Sequence, residues 1–125
     1  MPDPLAAEGI EPLIGDPMGI APPAGASRQS GRRFVKDGKL TEGAIYWVRG
    51  SMDELLGYYE ESLGRAGLSM IAAPIERPGR RIASFIGDKA VATVDLRNEP
   101  THDKMIRVIV EITVEQPVAK TDRVR

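Results

Sequence analysis

Residues 51–67, Ser51-Met-Asp-Glu-Leu-Leu-Gly-Tyr-Tyr-Glu-Glu-Ser-Leu-Gly-Arg-Ala-Gly67, form the one convincing helical stretch of the chain. That feature restricts the fold to one in which a single helix covers a sheet. Ser51 can accept a hydrogen bond from the Glu54 amide while the Glu54 side chain reaches back to the Ser51 amide, a capping box that sets the start. Met52, Leu55, Leu56, Tyr59, Leu63 and Ala66 recur at helical spacing and make one apolar stripe. Gly67 can take the left-handed conformation that ends a helix, with Leu68 folding back beyond it. Gly57 and Gly64 lie on another side of the helix, and each costs about 1 kcal/mol relative to Ala. Either another backbone approaches there, which makes the pair interface candidates, or they are tolerated surface glycines.

The remaining periodic segments read as strands. Residues 43–49 are β-branched and aromatic, with Ala44, Tyr46 and Val48 on one face and Ile45, Trp47 and Arg49 on the other. Residues 68–75 form a second strand, placed at an edge or ended by Pro74, which has no amide to donate. Arg77-Pro-Gly-Arg80 is a turn with Pro and Gly where their backbone preferences help. Segments 81–86 and 89–97 flank Gly87-Asp88, which reads as a two-residue hairpin turn. After a loop over 98–104 comes the cleanest alternation: Ile106, Val108, Val110, Ile112 and Val114 against Arg107, Glu111, Thr113 and Glu115. The expected fold is α+β, one amphipathic helix on a largely antiparallel sheet of four to five strands, in the order β-α-β-β-β-β. The sheet face away from the helix is mixed, with Ile109, Val91, Ala83 and Trp47 among charges. Something should cover it, either the Pro-rich segment or a second subunit, at roughly 1.5–3 kcal/mol per buried side chain. Val91 and Ile109 are therefore interface candidates.

Residues 1–39 carry six prolines, at 2, 4, 12, 17, 22 and 23, and show no period. They read as an extended or partly disordered lead-in. Within it, Leu13, Ile14, Met18 and Ile20 can pin the segment to the domain surface or to a partner. Arg28, Arg32, Arg33, Lys36 and Lys39 form a short basic block, read as a solvated loop that balances upstream acids or as a contact for an anion or acidic partner. The α+β domain then spans 40–116, and 117–125 is a tail that frays.

Composition narrows function more than it defines it. A hydrophobic share of 42% with 5% aromatics calls for a core of aliphatic residues. The formal net charge of -1 argues against the bulk basic field of nucleic-acid binders. No cysteine is present, which removes disulfides, thiolate metal sites and cysteine nucleophiles together. No apolar run approaches the roughly 20 residues that span a bilayer. The N-terminus lacks the basic and apolar regions of a signal peptide, so as written the chain reads as cytoplasmic; a chain trimmed behind a signal or anchor would look the same and be periplasmic or envelope-bound.

Motifs for chemistry are sparse. His102 is the only histidine and stands beside loop carboxylates, a weak ligand set, so no metal or cofactor is expected. Glu60 and Glu61 sit on the solvated side of the helix. No nucleophile elbow, phosphate loop or zinc-protease motif occurs. Arg77, Arg80 and Arg81 surround one turn and can bind an anion. The expectation is a non-enzymatic protein-interaction or structural accessory domain with a protein partner or self-association. The alternative is a small-molecule or anion-binding domain with a pocket between helix and sheet near Trp47, Tyr58 and the arginine turn.

Pro23-Ala-Gly-Ala26, Tyr46, Gly50-Ser51-x-Asp53-Glu54 and Tyr58-Tyr59-x-x-x-Leu63-x-x-x-Gly67 together resemble a small bacterial α+β domain of uncharacterised function. The resemblance covers roughly residues 22–115, with Leu68 where that domain usually has Trp and Ala24 interrupting its Pro-Gly. It implies one helix on an antiparallel sheet and a place on exported or lipid-anchored envelope proteins. It implies no active site.

Overall fold

The alternating segment at the C-terminal end supplies a central strand. The computed structural model describes residues 10–99 and 105–115. Its elements are β1 (Glu11–Pro12), a 3-10 turn (Pro17–Gly19), β2 (Ser27–Lys36), β3 (Lys39–Arg49), α1 (Met52–Arg65), β4 (Ser69–Met70), β5 (Ile75–Arg77), β6 (Arg80–Ile86), β7 (Ala90–Asn98) and β8 (Met105–Glu115). The sheet runs β1-β2-β3-β8-β7-β6-β4, with β5 also paired to β6. Every pairing is antiparallel. The chain is thus α+β with one α-helix on an antiparallel sheet, and the sheet has eight strands rather than four to five.

The extra strands have local causes. The basic block expected as a loop is part of β2, which joins β3 through Asp37-Gly38. Both residues have positive φ, 53° and 76°, as a type I′ hairpin requires. β1 adds to the outer edge of β2. The strand expected over 68–75 is broken into β4 and β5, both on the edge of β6, with Pro74 in the gap. Gly87 is not a turn residue in the expected sense. Its amide bonds the Ala90 carbonyl at 2.8 Å, so Asp88 and Lys89 occupy the turn. A Cβ on Gly87 would stand 2.9 Å from the Gly67 carbonyl oxygen, so this glycine lets the hairpin end press on the helix terminus.

The helix begins and ends as expected. Ser51 and Glu54 make both capping-box hydrogen bonds, Gly67 has φ +93°, and the Leu68 amide returns to the Leu63 carbonyl at 2.9 Å. Its buried stripe is Leu55, Tyr59, Ser62 and Leu63, whereas Ala66 is exposed because the chain is already leaving the helix there. Facing the stripe are Phe85, Val94, Leu96, Val108, Val110 and Tyr46, all at most 2% exposed. Ala83 belongs to this core too, paired with Val94, and not to the mixed face as expected.

One helix cannot cover so wide a sheet. It packs over β4, β6 and β7, while the 3-10 turn packs over β3 and β8 on the same side. Pro17 is buried there, and Met18, Ile20 and Ala26 pack against the core. Ile14, in contrast, is 90% exposed. Polar bonds fix the segment. The Tyr46 hydroxyl donates to Asp16 at 2.6 Å, the Met18 amide to Glu42 at 2.7 Å, and the Tyr58 hydroxyl to the Ala21 carbonyl at 2.7 Å. Arg28 donates to the carbonyls of Leu13 and Gly15. Burial first, and then the bond to Asp16, raises the Tyr46 pKa. The Pro-rich segment therefore closes the helix side of the sheet, the face opposite to the one for which it and a second subunit were the two candidate covers. His102 and the C-terminal tail lie outside the described residues.

Candidate functional site

Residues directly opposite one another in an antiparallel ladder share a sheet face. The pairings therefore define what the face away from the helix presents. One row runs Trp47, Arg107, Arg97, Arg80, Arg77 across β3, β8, β7, β6 and β5. The next row, two residues along each strand, runs Ile45, Ile109, Asp95, Ile82, Ile75. Farther along, Val91 pairs with Ile86. Ile75, Ile86 and Val91 are 51%, 51% and 47% exposed. Beside Ile45 and Ile109, the absence of a side chain at Gly43 leaves an open groove of about 310 Å³, bordered by Arg32 and Glu111.

Four arginines in register is an arrangement that works against folding, since like charges directly opposite one another destabilise a sheet. The carboxylates set among them are few. Arg80 turns Nε and Nη2 onto Asp95 at 3.1 and 2.9 Å, and Arg97 does the same at 3.3–3.4 and 3.0 Å. Arg107 reaches Glu99 at 3.5 Å and lies with its guanidinium carbon 5.1 Å from the centre of the Trp47 ring. Arg77 donates to the Glu76 carbonyl and makes no ion pair among the described residues.

Asp95 is buried, at 8% exposure. Burial alone would raise its pKa, but the hydrogen bonds from Arg80 and Arg97 outweigh it and hold the carboxyl below its ordinary value. A carboxylate depressed on folding contributes stability above the unfolded value, about 3.8, and loses that contribution as pH falls through the folded one. Asp95→Asn should therefore lower Tm at pH 7 by roughly 5 °C for a domain of this size. The gap between variant and wild type should narrow as the pH falls below about 3.8 and through the lower folded value. Thermal melts across pH check this, and a gap independent of pH would show that Asp95 does not act through its charge.

Of the residues singled out in the sequence, Arg77, Arg80 and Trp47 come together on the arginine row, and Val91 and Ile109 stand on the same face. Arg81 does not join them. It faces the helix, where it pairs with Asp53 and Glu76. Tyr58 is also on the helix side, tied to the 3-10 turn segment. The interval between helix and sheet is filled by Tyr59, Leu63 and Phe85, each fully buried, so the expected ligand pocket around Trp47, Tyr58 and the arginine turn is not assembled there. Gly57 and Gly64 point outward, with no other element among the described residues within 4 Å of an added Cβ. Arg97, Arg107 and Asp95 were missed because isolated charges at outward strand positions carry no signal until the register aligns them.

No helix among the described residues is long and apolar enough to cross a membrane. Comparison with protein families, with curated proteins and with solved structures finds no match.

Proposed function

We propose that this chain is a non-enzymatic interaction module of a bacterial protein, placed at the cell envelope as the resemblance implies, and that it holds a protein partner on the sheet face opposite the helix. One observation carries the reading. The helix side is closed by α1 and the 3-10 turn segment, whereas the other face presents half-exposed Ile75 in one row with Ile82, Ile109 and Ile45, and half-exposed Ile86 and Val91 beyond the polar row of Ser84, Thr93 and Glu111, with no described element over them. Exposed apolar surface rimmed by charge is the mark of an interaction surface. Small-anion binding is a second reading, supported by the arginine row. It moves from the helix–sheet interval to this same face.

Hydroxyl-radical footprinting tests the proposal. The purified chain is compared with the endogenous protein in membrane and soluble fractions of its host. Trp47, Ile82 and Ile109 should be protected in the membrane fraction, and protection should be lost in Ile109→Glu. Identical oxidation in the pure and cellular samples would end the interaction reading.

A further inference from the structure

We infer that the partner of this face is an acidic protein segment, and that the row Arg77, Arg80, Arg97, Arg107 is the track on which its carboxylates sit. The inference rests on the reading that the face binds a protein, and names the chemistry of what it binds.

The register sets the track. Arg77 opposes Arg80, Arg80 opposes Arg97 and Arg97 opposes Arg107, on four adjacent strands. At the usual strand separation of about 4.8 Å the row is roughly 15 Å long. Its charge is not balanced from within among the described residues: Arg80 and Arg97 share Asp95, Arg107 reaches Glu99, and Arg77 has no carboxylate, so four guanidinium groups stand against two carboxylates. The orientation of the forks is equally informative. Arg80 and Arg97 spend Nε and Nη2 on Asp95, and that shared carboxylate holds both planes in place while their Nη1 groups make no hydrogen bond among the described residues. A fork already held loses less freedom when it takes a second carboxylate.

The neighbouring row narrows the occupant further. About 7 Å along the strands, Ile45, Ile109, Ile82 and Ile75 offer aliphatic surface interrupted only by Asp95. A ligand that fits both rows carries acids on one side and apolar groups on the other, as a protein segment rich in Asp or Glu with interspersed Leu or Val does. A sugar-phosphate backbone fits poorly, because Glu111 and Asp95 share the face, Glu99 stands against Arg107, and the chain's net charge is -1. A second copy of this chain would set one arginine row against a face with the same positive surplus.

The probes are a peptide of alternating Glu and Leu, about ten residues and so long enough to span the row, and its Gln–Leu counterpart. Each is titrated into isotope-labelled full chain while the arginine Nε–Hε signals and backbone amides are followed by NMR. The Glu–Leu peptide should shift the signals of Arg80, Arg97 and Arg107 and bind at least about tenfold tighter than Gln–Leu. Its binding should weaken markedly between about 50 and 300 mM salt. Arg97→Gln combined with Arg107→Gln should remove the tenfold margin, and Arg65→Gln on the helix should keep it. If the double variant does not fold, Arg77→Gln, whose side chain makes no ion pair among the described residues, should reduce the margin about threefold.

Equal binding of the two peptides, an unchanged double variant, no shift at this face at millimolar peptide, or tighter binding of a short oligothymidylate would each overturn the assignment. Protection in the footprinting experiment together with any of these results would leave the interaction face standing and refute only its acidic partner. Absence of protection in the wild-type chain would refute the face itself.

Discussion

Val110→Glu should leave the chain unfolded at room temperature, while Ile109→Glu, one residue away, should fold with a Tm within about 5 °C of wild type. Val110 is 1% exposed, on a central strand with Ala44 and Val94 opposite it under the lid of α1 and the 3-10 turn segment. A carboxylate there has no partner, and an uncompensated buried charge costs several kcal/mol. That is a large part of the ~5–15 kcal/mol that holds a domain together. Ile109 points to the other face, opposite Ile45 and Asp95, in the row beside Arg107 and Arg97. A glutamate at 109 can reach water and stands beside cations, so its cost is the lost apolar contact alone. Circular dichroism melts of the two variants decide the point. Two folded variants would mean that the helix side is not buried at Val110, two unfolded ones that both faces are buried, and the reverse order that the faces are assigned wrongly.

That asymmetry was legible in the sequence because it depends on alternation and caps. The strict period of residues 106–114 placed Val110 inside and Ile109 outside, and Ser51, Glu54 and Gly67 marked both ends of α1 as the structure has them. The failures came where a strand has little to bury. β2, Ser-Arg-Gln-Ser-Gly-Arg-Arg-Phe-Val-Lys, is exposed or half-exposed throughout and shows no alternation, so its charge read as a loop. Asp37-Gly38 was the signal for it, an Asp-Gly pair between two β-capable segments. Gly87 misled in the opposite direction. A Gly-Asp pair suggested a turn, but the glycine answers to the helix end packed on it, a contact between residues about twenty positions apart. The arginine row was out of reach for a different reason. Arg77, Arg80, Arg97 and Arg107 are unrelated by any spacing along the chain, and only the pairing of four strands brings them into line.

A chain that begins at Ser27 should lose about 3–6 kcal/mol of stability, the size expected for uncovering several partly buried apolar side chains. In the sequence the segment reads as an extended lead-in that Leu13, Ile14, Met18 and Ile20 can pin to the domain surface, and Met18 and Ile20 do so. Pro17 is buried, Met18, Ile20 and Ala26 pack on the core, and the 3-10 turn lies over the half of the sheet that α1 does not reach. Without it, Tyr46 and the core side of β3 and β8 would face water. Removing residues 1–9 alone takes away none of these contacts. Tyr46→Phe isolates the polar part: it deletes the hydroxyl's 2.6 Å bond to Asp16 and should cost about 1–3 kcal/mol, less than the truncation. Urea titrations of the three variants give the ranking. Truncation at Ser27 should be the most damaging and should bring binding of a hydrophobic dye in the absence of denaturant. If it instead matches the chain lacking only residues 1–9, the 3-10 turn segment is an appendage and the helix closes the core by itself. If the ranking holds, the segment is as much a part of the lid as α1, and the face that carries the arginine row is the side of the sheet that no described element covers.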